Sequence, residues 1–132
     1  MNHSKISKSF CRFFKAANDT ELNYMPSMLA SVDVFLQGLS DTNVSEGIKR
    51  EMATAAGIYV GEVLIRNLGG DWDQPSDAEV EHRYKVTWTV KLPSGAIANP
   101  ILKAKKIASQ ISGEANSLTN FYDWCATFGC AG

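Results

Sequence analysis

The sequence predicts a single α+β domain over residues 1–132, with helices at both ends and a small antiparallel β-sheet between them. Two observations predict this class. Apolar residues recur at helical spacing over most of the chain, whereas residues 81–92 alternate strictly between apolar and polar side chains. The chain has 132 residues, of which 45% are hydrophobic and 20% charged, and this is typical of one globular domain that can bury a core.

The longest apolar pattern lies in residues 44–68, and we expect this segment to be the central helix. Gly69 and Gly70 are expected to end it, because glycine takes the left-handed cap conformation without a steric penalty. Apolar residues at three- and four-residue steps predict a wide buried face: Ile48, Met52, Ala55, Ala56, Tyr59, Val60, Val63, Leu64 and Leu68.

Two helices are predicted before the central one. Residues 4–17 form a basic amphipathic pattern with Ile6 and three phenylalanines at helical spacing. Residues 27–39 carry a broad apolar stripe, and the polar run 40–43 is expected to cap the helix that follows.

Beyond the glycines the periodicity changes to that of a sheet. Residues 71–73 and 81–92 are predicted strands, and residues 96–98 return as a short partner strand after a Pro-Ser-Gly turn. Asn99 and Pro100 then begin a helix that is expected to stop at Gly113.

A last helix is predicted from residue 118, with Asn116 and Ser117 as its capping residues. The tail from residue 128 to 132 is expected to be loose.

Composition and charge exclude several classes of function. A formal net charge of −1 gives no overall basic field, which does not favour a nucleic-acid partner. No apolar run approaches the roughly 18 to 20 residues that span a bilayer, so we expect no membrane partner. The odd set Cys11, Cys125 and Cys130 suits reduced thiols, which predicts a cytoplasmic protein.

Sequence motifs favour a non-enzymatic protein without a cofactor or metal. His3 and His82 are isolated, and Cys125 and Cys130 do not form a Cys-x-x-Cys pair. The acidic run from Asp71 fails as a calcium loop, since Ser76 stands where glycine is required and His82 where glutamate is required. No nucleophile-elbow, phosphate-loop or dinucleotide motif occurs.

Small residues form a line on the central helix, at Ala53, Gly57 and Gly61. Glycine inside a helix lowers its stability by about 1 kcal/mol relative to alanine, so we expect a structural or functional reason for two glycines on one line. We expect the close approach of another backbone, from either a helix or the sheet. A ligand that approaches the bare backbone is the alternative.

Two hypotheses for function follow. The first is a protein-interaction or immunity-type module, plausibly a homodimer, because the chain has more aromatic residues than a minimal core requires. Its candidate interface residues are Phe10, Phe13, Phe14 and Trp88. The second is a small-molecule-binding domain or enzyme with a pocket between the sheet and the central helix. Its candidate lining residues are Tyr59, Glu62, Arg66 and Trp72.

The surroundings of Glu62 can distinguish a ligand pocket from a purely structural role of this residue. Glu62 precedes Arg66 by four residues, in the order that favours an ion pair along a helix. A buried Glu62 without that partner would favour a pocket.

A resemblance to known proteins is carried by three segments of the sequence. They are YVGEVLIRNLGGDW (59–72), KLPSGAIANPILKAKK (91–106) and SGEANSLTNFYDW (112–124). Their combination of a Gly-Glu helix, Gly-Gly-x-Trp, an Asn-Pro helix start and Gly-Glu-x-x-Ser-Leu resembles small bacterial proteins of domain-of-unknown-function families. It is also similar to hypothetical proteins of mobile gene cassettes and to toxin-immunity partners. The resemblance implies a bacterial source and an α+β fold, and it implies no reaction.

Overall fold

A computed structural model describes residues 2–74, 88–109 and 117–129 and confirms the α+β class. This part of the chain contains five helices and a three-stranded antiparallel sheet, and none of these helices is long and apolar enough to cross a membrane. The elements in chain order are α1 (His3–Asn18), α2 (Leu29–Gly38), α3 (Glu46–Leu68), β1 (Asp71–Asp73), β2 (Thr89–Lys91), β3 (Ile97–Ala98), α4 (Pro100–Ala108) and α5 (Leu118–Phe128).

The central helix α3 packs mainly against α1 and α4, and its middle forms the centre of the core. The predicted buried face is confirmed from Ala56 to Leu64, where Tyr59, Val60 and Val63 are fully buried. The same face is not covered at its N-terminal end. Ile48 is 45% exposed, and Met52 is only half-buried. The sequence pattern identified an apolar stripe, but one end of it lacks a neighbour in the described chain.

The ends of α3 differ in part from prediction. Gly69 ends the helix, as expected, but its φ of 85° and ψ of 176° differ from the left-handed cap conformation that the sequence predicts. At the other end the cap is Ser45, whose hydroxyl accepts the Ile48 N–H at 3.2 Å. The prediction that residues 40–43 would supply this cap is wrong, because they follow α2 as the tail of a short 3-10 turn, Leu39–Asp41.

The sheet has the strand order β1-β2-β3, and both pairings are antiparallel. Trp72 pairs with Val90, and Val90 pairs with Ala98. The predicted alternation is confirmed in β2, where Val90 and Leu92 are buried while Lys91 is exposed. The remainder of the predicted strand 81–92 lies outside the described residues, apart from Trp88.

The last two helices begin where the sequence predicts. The Asn99 side chain accepts the Leu102 N–H at 3.0 Å, and the Ser117 hydroxyl accepts the Asn120 N–H at 3.0 Å. A second cap of α5 is supplied by Asp33 of α2, whose buried carboxylate accepts the Leu118 N–H. The predicted helix stop at Gly113 lies outside the described residues.

Gly57 and Gly61 of α3 contact different parts of the fold. A Cβ at Gly57 would lie 2.5 Å from the Cα of Ile101, so this glycine allows the backbones of α3 and α4 to approach. Gly61 instead faces the indole ring of Trp72 from β1. The expected backbone contact is therefore confirmed at Gly57, and a side chain from the sheet fills the corresponding space at Gly61.

Candidate functional site

An open apolar groove lies between α1 and α3. It has a volume of about 390 Å³ and is formed where the two helices pack side by side. Its lining residues are Lys5, Ile6, Ser9, Phe10, Phe13, Glu51, Met52 and Ala55. The groove includes the uncovered end of the α3 stripe, and Ile48 continues that stripe by one further turn.

Helical spacing explains why the groove is apolar on both walls. Ile6, Phe10 and Phe13 recur at i, i+4 and i+7 on α1, and Met52 and Ala55 lie three residues apart on α3. Residues at these spacings occupy one face of a helix. The two apolar faces line the groove from opposite sides and leave it open to solvent.

Phe13 forms one edge of the groove and is held by other rings. Its ring centroid lies 6.4 Å from Phe10 and 5.9 Å from Phe35 of α2. Phe35 in turn packs 5.6 Å from Phe14. Phe13 nevertheless remains 39% exposed. The Phe13 ring is thus held in place by contacts within this chain.

The groove adjoins a second depression of about 470 Å³ on the same helix. The two share Ile6, Glu51 and Ala55, so they form one channel. The second part extends toward α4 through Ile58 and Lys105. The two parts of the channel thus lie side by side across α3, at the level of residues 47–58.

Positive charge is concentrated beside the channel. Helix α1 carries four cations and no acidic residue, although the formal net charge of the whole chain is −1. The cations are Lys5, Lys8, Arg12 and Lys15. Steps of three, four and three residues place them along one side of the helix. Lys5 lies in the groove wall itself, whereas Lys8 and Arg12 line a separate depression farther round α1.

The predicted pocket residues are brought together but satisfy one another. Glu62 is 8% exposed, and its carboxylate accepts the indole N–H of Trp72 at 3.4 Å and pairs with Arg66 at 3.8 Å. The Arg66 guanidinium also stacks 3.6 Å above the Tyr24 ring. Because Glu62 has Arg66 as its partner, the arrangement favours the structural role over a pocket.

Tyr59, the fourth predicted pocket residue, lies in the core. Its hydroxyl donates to the Asn23 carbonyl, and its ring packs 5.5 Å from Tyr24. Burial raises the pKa of Tyr59, so its phenol remains protonated at physiological pH. Its role here is to attach the loop before α2 to the central helix.

The sequence did not reveal the position of His3. Its imidazole stacks on Trp72, with ring centroids 4.2 Å apart and planes 11° from parallel, and it meets Trp88 edge-on at 4.6 Å. The His3 Nε2 atom is buried and has no hydrogen-bond partner in the described parts of the chain. Burial lowers the pKa of His3 because the charged imidazolium is disfavoured away from water. These contacts attach the start of α1 to the sheet.

The four predicted interface residues lie in three different environments. Phe10 is 3% exposed and Phe14 is 2% exposed, so both belong to the core of this chain. Trp88 is half-buried against His3. Of the four, Phe13 is the one whose side chain is exposed.

Two further exposed aromatic residues lie on α5. The ring centroids of Trp124 and Phe128 are 5.8 Å apart.

Two observations bear on metal binding and on cysteine reactivity in the described ranges. No group of three His, Cys, Asp or Glu residues in the described ranges could hold a metal ion. Burial raises the pKa of the Cys11 thiol, which keeps it protonated and weakly nucleophilic at neutral pH.

Comparison with protein-family models, with curated proteins and with solved structures finds no match to this chain. The likeness to small bacterial proteins therefore stays a prediction. The fold and the groove define a small, mostly helical α+β domain that presents a preformed apolar channel beside a basic helix.

Proposed function

We propose that this protein is a non-enzymatic protein-interaction module that binds a helix of a partner protein in the channel between α1 and α3. The observation that carries the proposal is the exposed edge of Phe13 above an apolar groove of about 390 Å³. We extend the proposal to a cytoplasmic setting, which the reduced thiols of Cys11 and Cys125 suit.

The shape of the channel favours a helix over a compact ligand. Small-molecule pockets usually enclose the ligand and direct a few polar groups into an apolar cavity. Here the channel is open, and its polar residues Lys5, Ser9 and Glu51 are accompanied by apolar walls on both sides. An amphipathic helix places apolar residues at i, i+3, i+4 and i+7, which is the spacing that such a channel accepts.

The aromatic edge favours specific binding. Aromatic residues are common anchors in protein interfaces because a rigid ring buries a large area at a small entropic loss. Phe13 is supported by Phe10 and Phe35, so its position does not depend on the partner.

The test uses a labelled amphipathic peptide of about 18 residues, which forms about five helical turns. Its apolar face carries leucine and its other face alternates Glu and Lys. Fluorescence anisotropy measures binding, and amide chemical-shift changes locate it. We expect shifts around Ile6, Phe13 and Met52.

Phe13→Ala is expected to weaken binding by at least about tenfold, equivalent to about 1.4 kcal/mol. Phe128→Ala is the matched control, since it removes an exposed phenylalanine from α5, and it should change the affinity by less than about twofold. Equal effects of the two substitutions, or shifts confined to α5, would refute the groove as the binding site.

A further inference from the structure

We infer that the helix bound in the α1–α3 channel is acidic, with apolar residues toward the groove and carboxylates toward the cationic side of α1. This inference rests on the proposed function, because it identifies the chemistry of the partner for the same site.

The first argument is the unneutralised charge on α1. Of its four cations, Lys15 is the one with an ion-pair partner in the described chain, and that partner, Glu21, lies 3.9 Å away with both side chains largely exposed. Arg12 contacts the Ser9 hydroxyl at 3.4 Å, which leaves its charge uncompensated. A partner with carboxylates at matching positions would neutralise this row.

The second argument is the charge around the continuation of the channel. Arg50 and Lys105 line its second part, and Glu51 contributes one negative charge to both parts. Complementary charge at the rim of an interface speeds association and discriminates against partners of the wrong sign. The rim therefore selects for an acidic helix.

A second copy of this chain fits the site less well. In a two-fold symmetric dimer the same surface meets itself, so the cationic side of α1 would face its own copy. Like charges placed together across an interface oppose association. An acidic helix from a different protein encounters no such repulsion.

An anionic membrane surface is also less suited to this site. A basic amphipathic helix binds a membrane by inserting its apolar face between lipid headgroups. The apolar face of α1 is already committed, because Phe10 and Phe14 are buried against α2 and α3. Phe13 and Ile6 alone would be left at the edge.

The experiment compares two peptides of about 18 residues with the same leucine face. One carries Glu and the other Lys at the flanking positions. Fluorescence anisotropy with the full chain is measured at about 50 mM and about 300 mM NaCl. We expect the acidic peptide to bind at least about tenfold more tightly at low salt, and the difference to shrink at high salt because exposed charges are screened.

Two charge-reversal variants sharpen the test. Lys5→Glu/Arg12→Glu is expected to weaken binding of the acidic peptide by about tenfold and to strengthen binding of the basic one. Lys91→Glu/Lys106→Glu changes the net charge equally at exposed positions of β2 and α4, and it should shift either affinity by less than about threefold.

Several outcomes would overturn the inference while leaving the groove as a binding site. Tighter binding of the basic peptide, or equal effects of the two charge reversals, would refute an acidic partner.

Other results would identify a different occupant. A dimer in sedimentation equilibrium that Phe13→Ala dissociates would identify a second copy as the occupant. Binding to phosphatidylserine vesicles without binding to the acidic peptide would identify a membrane surface. A monomer that binds neither peptide nor vesicles would overturn the proposed function as well.

Discussion

The carboxylate of Asp33 holds the start of α5. Both of its oxygens accept the Leu118 N–H, at 2.7 and 3.0 Å, across 85 residues of sequence. The first N–H groups of a helix have no partner within the helix, and a negative charge there also interacts favourably with the helix dipole. One side chain of α2 thus fixes where the last helix begins.

Replacing Asp33 with Ala should lower the free energy of unfolding by about 2 to 3 kcal/mol, because a buried N–H group loses its acceptor. Asp33→Asn keeps one carbonyl acceptor and has no charge to bury, so its loss should stay below about 1 kcal/mol. Urea unfolding at neutral pH measures both values. Equal losses for Ala and Asn would show that the hydrogen bond to Leu118 is not what matters.

Gly57→Ala should destabilise the fold through the contact between α3 and α4. The new Cβ would meet the backbone of Ile101 at 2.5 Å, and backbone atoms cannot move aside without separating the helices. We expect a loss of about 2 kcal/mol or more.

Gly47→Ala is the control on the same helix, since Gly47 has open space around it. Alanine is the better helix former, so this change should stabilise the protein by up to about 1 kcal/mol. Thermal unfolding compares the two variants. A Gly57→Ala protein as stable as Gly47→Ala would contradict the close packing.

Gly61→Leu should destabilise the protein by more than about 1 kcal/mol and displace the Trp72 indole from Glu62. The indole N–H resonance of Trp72 reports the displacement. In a Trp72→Ala background the same substitution should cost less, because the group that it meets is absent. An unchanged cost in that background would place the strain elsewhere.

The contribution of His3 to the free energy of unfolding should fall as the pH drops below the ordinary pKa of histidine, 6.5. Burial lowers the pKa of folded His3, so the unfolded chain takes up the proton first, and unfolding is favoured at lower pH. The negative charge of Glu62 raises the pKa of His3, but by less than burial lowers it.

His3→Phe retains a ring to stack on Trp72 and removes the titrating group. As the pH falls from about 7.5 to about 5, the free energy of unfolding of the native protein should therefore decrease more than that of the variant. The same pH dependence in both proteins would show that another group is responsible.

Local patterns in the sequence predict most of the elements, because capping and periodicity act over a few residues. The caps at Asn99 and Ser117 and the glycine end of α3 are examples. What could not be predicted depends on pairs that are distant in the chain. The spacing that makes Phe10 and Phe13 neighbours on α1 does not reveal that one is covered by α3 and the other is left open. The Asp33–Leu118 contact has no local signature at all.

The channel exists only when α1 lies against α3, since its two walls come from segments some forty residues apart. A partner that fills it binds the folded chain and not the unfolded one. At a free concentration of about 100 times its dissociation constant, such a partner would add about 2.7 kcal/mol to the stability of the fold. The lifetime of this protein in a cell would then follow the abundance of its partner, and loss of the partner would expose the chain to proteolysis.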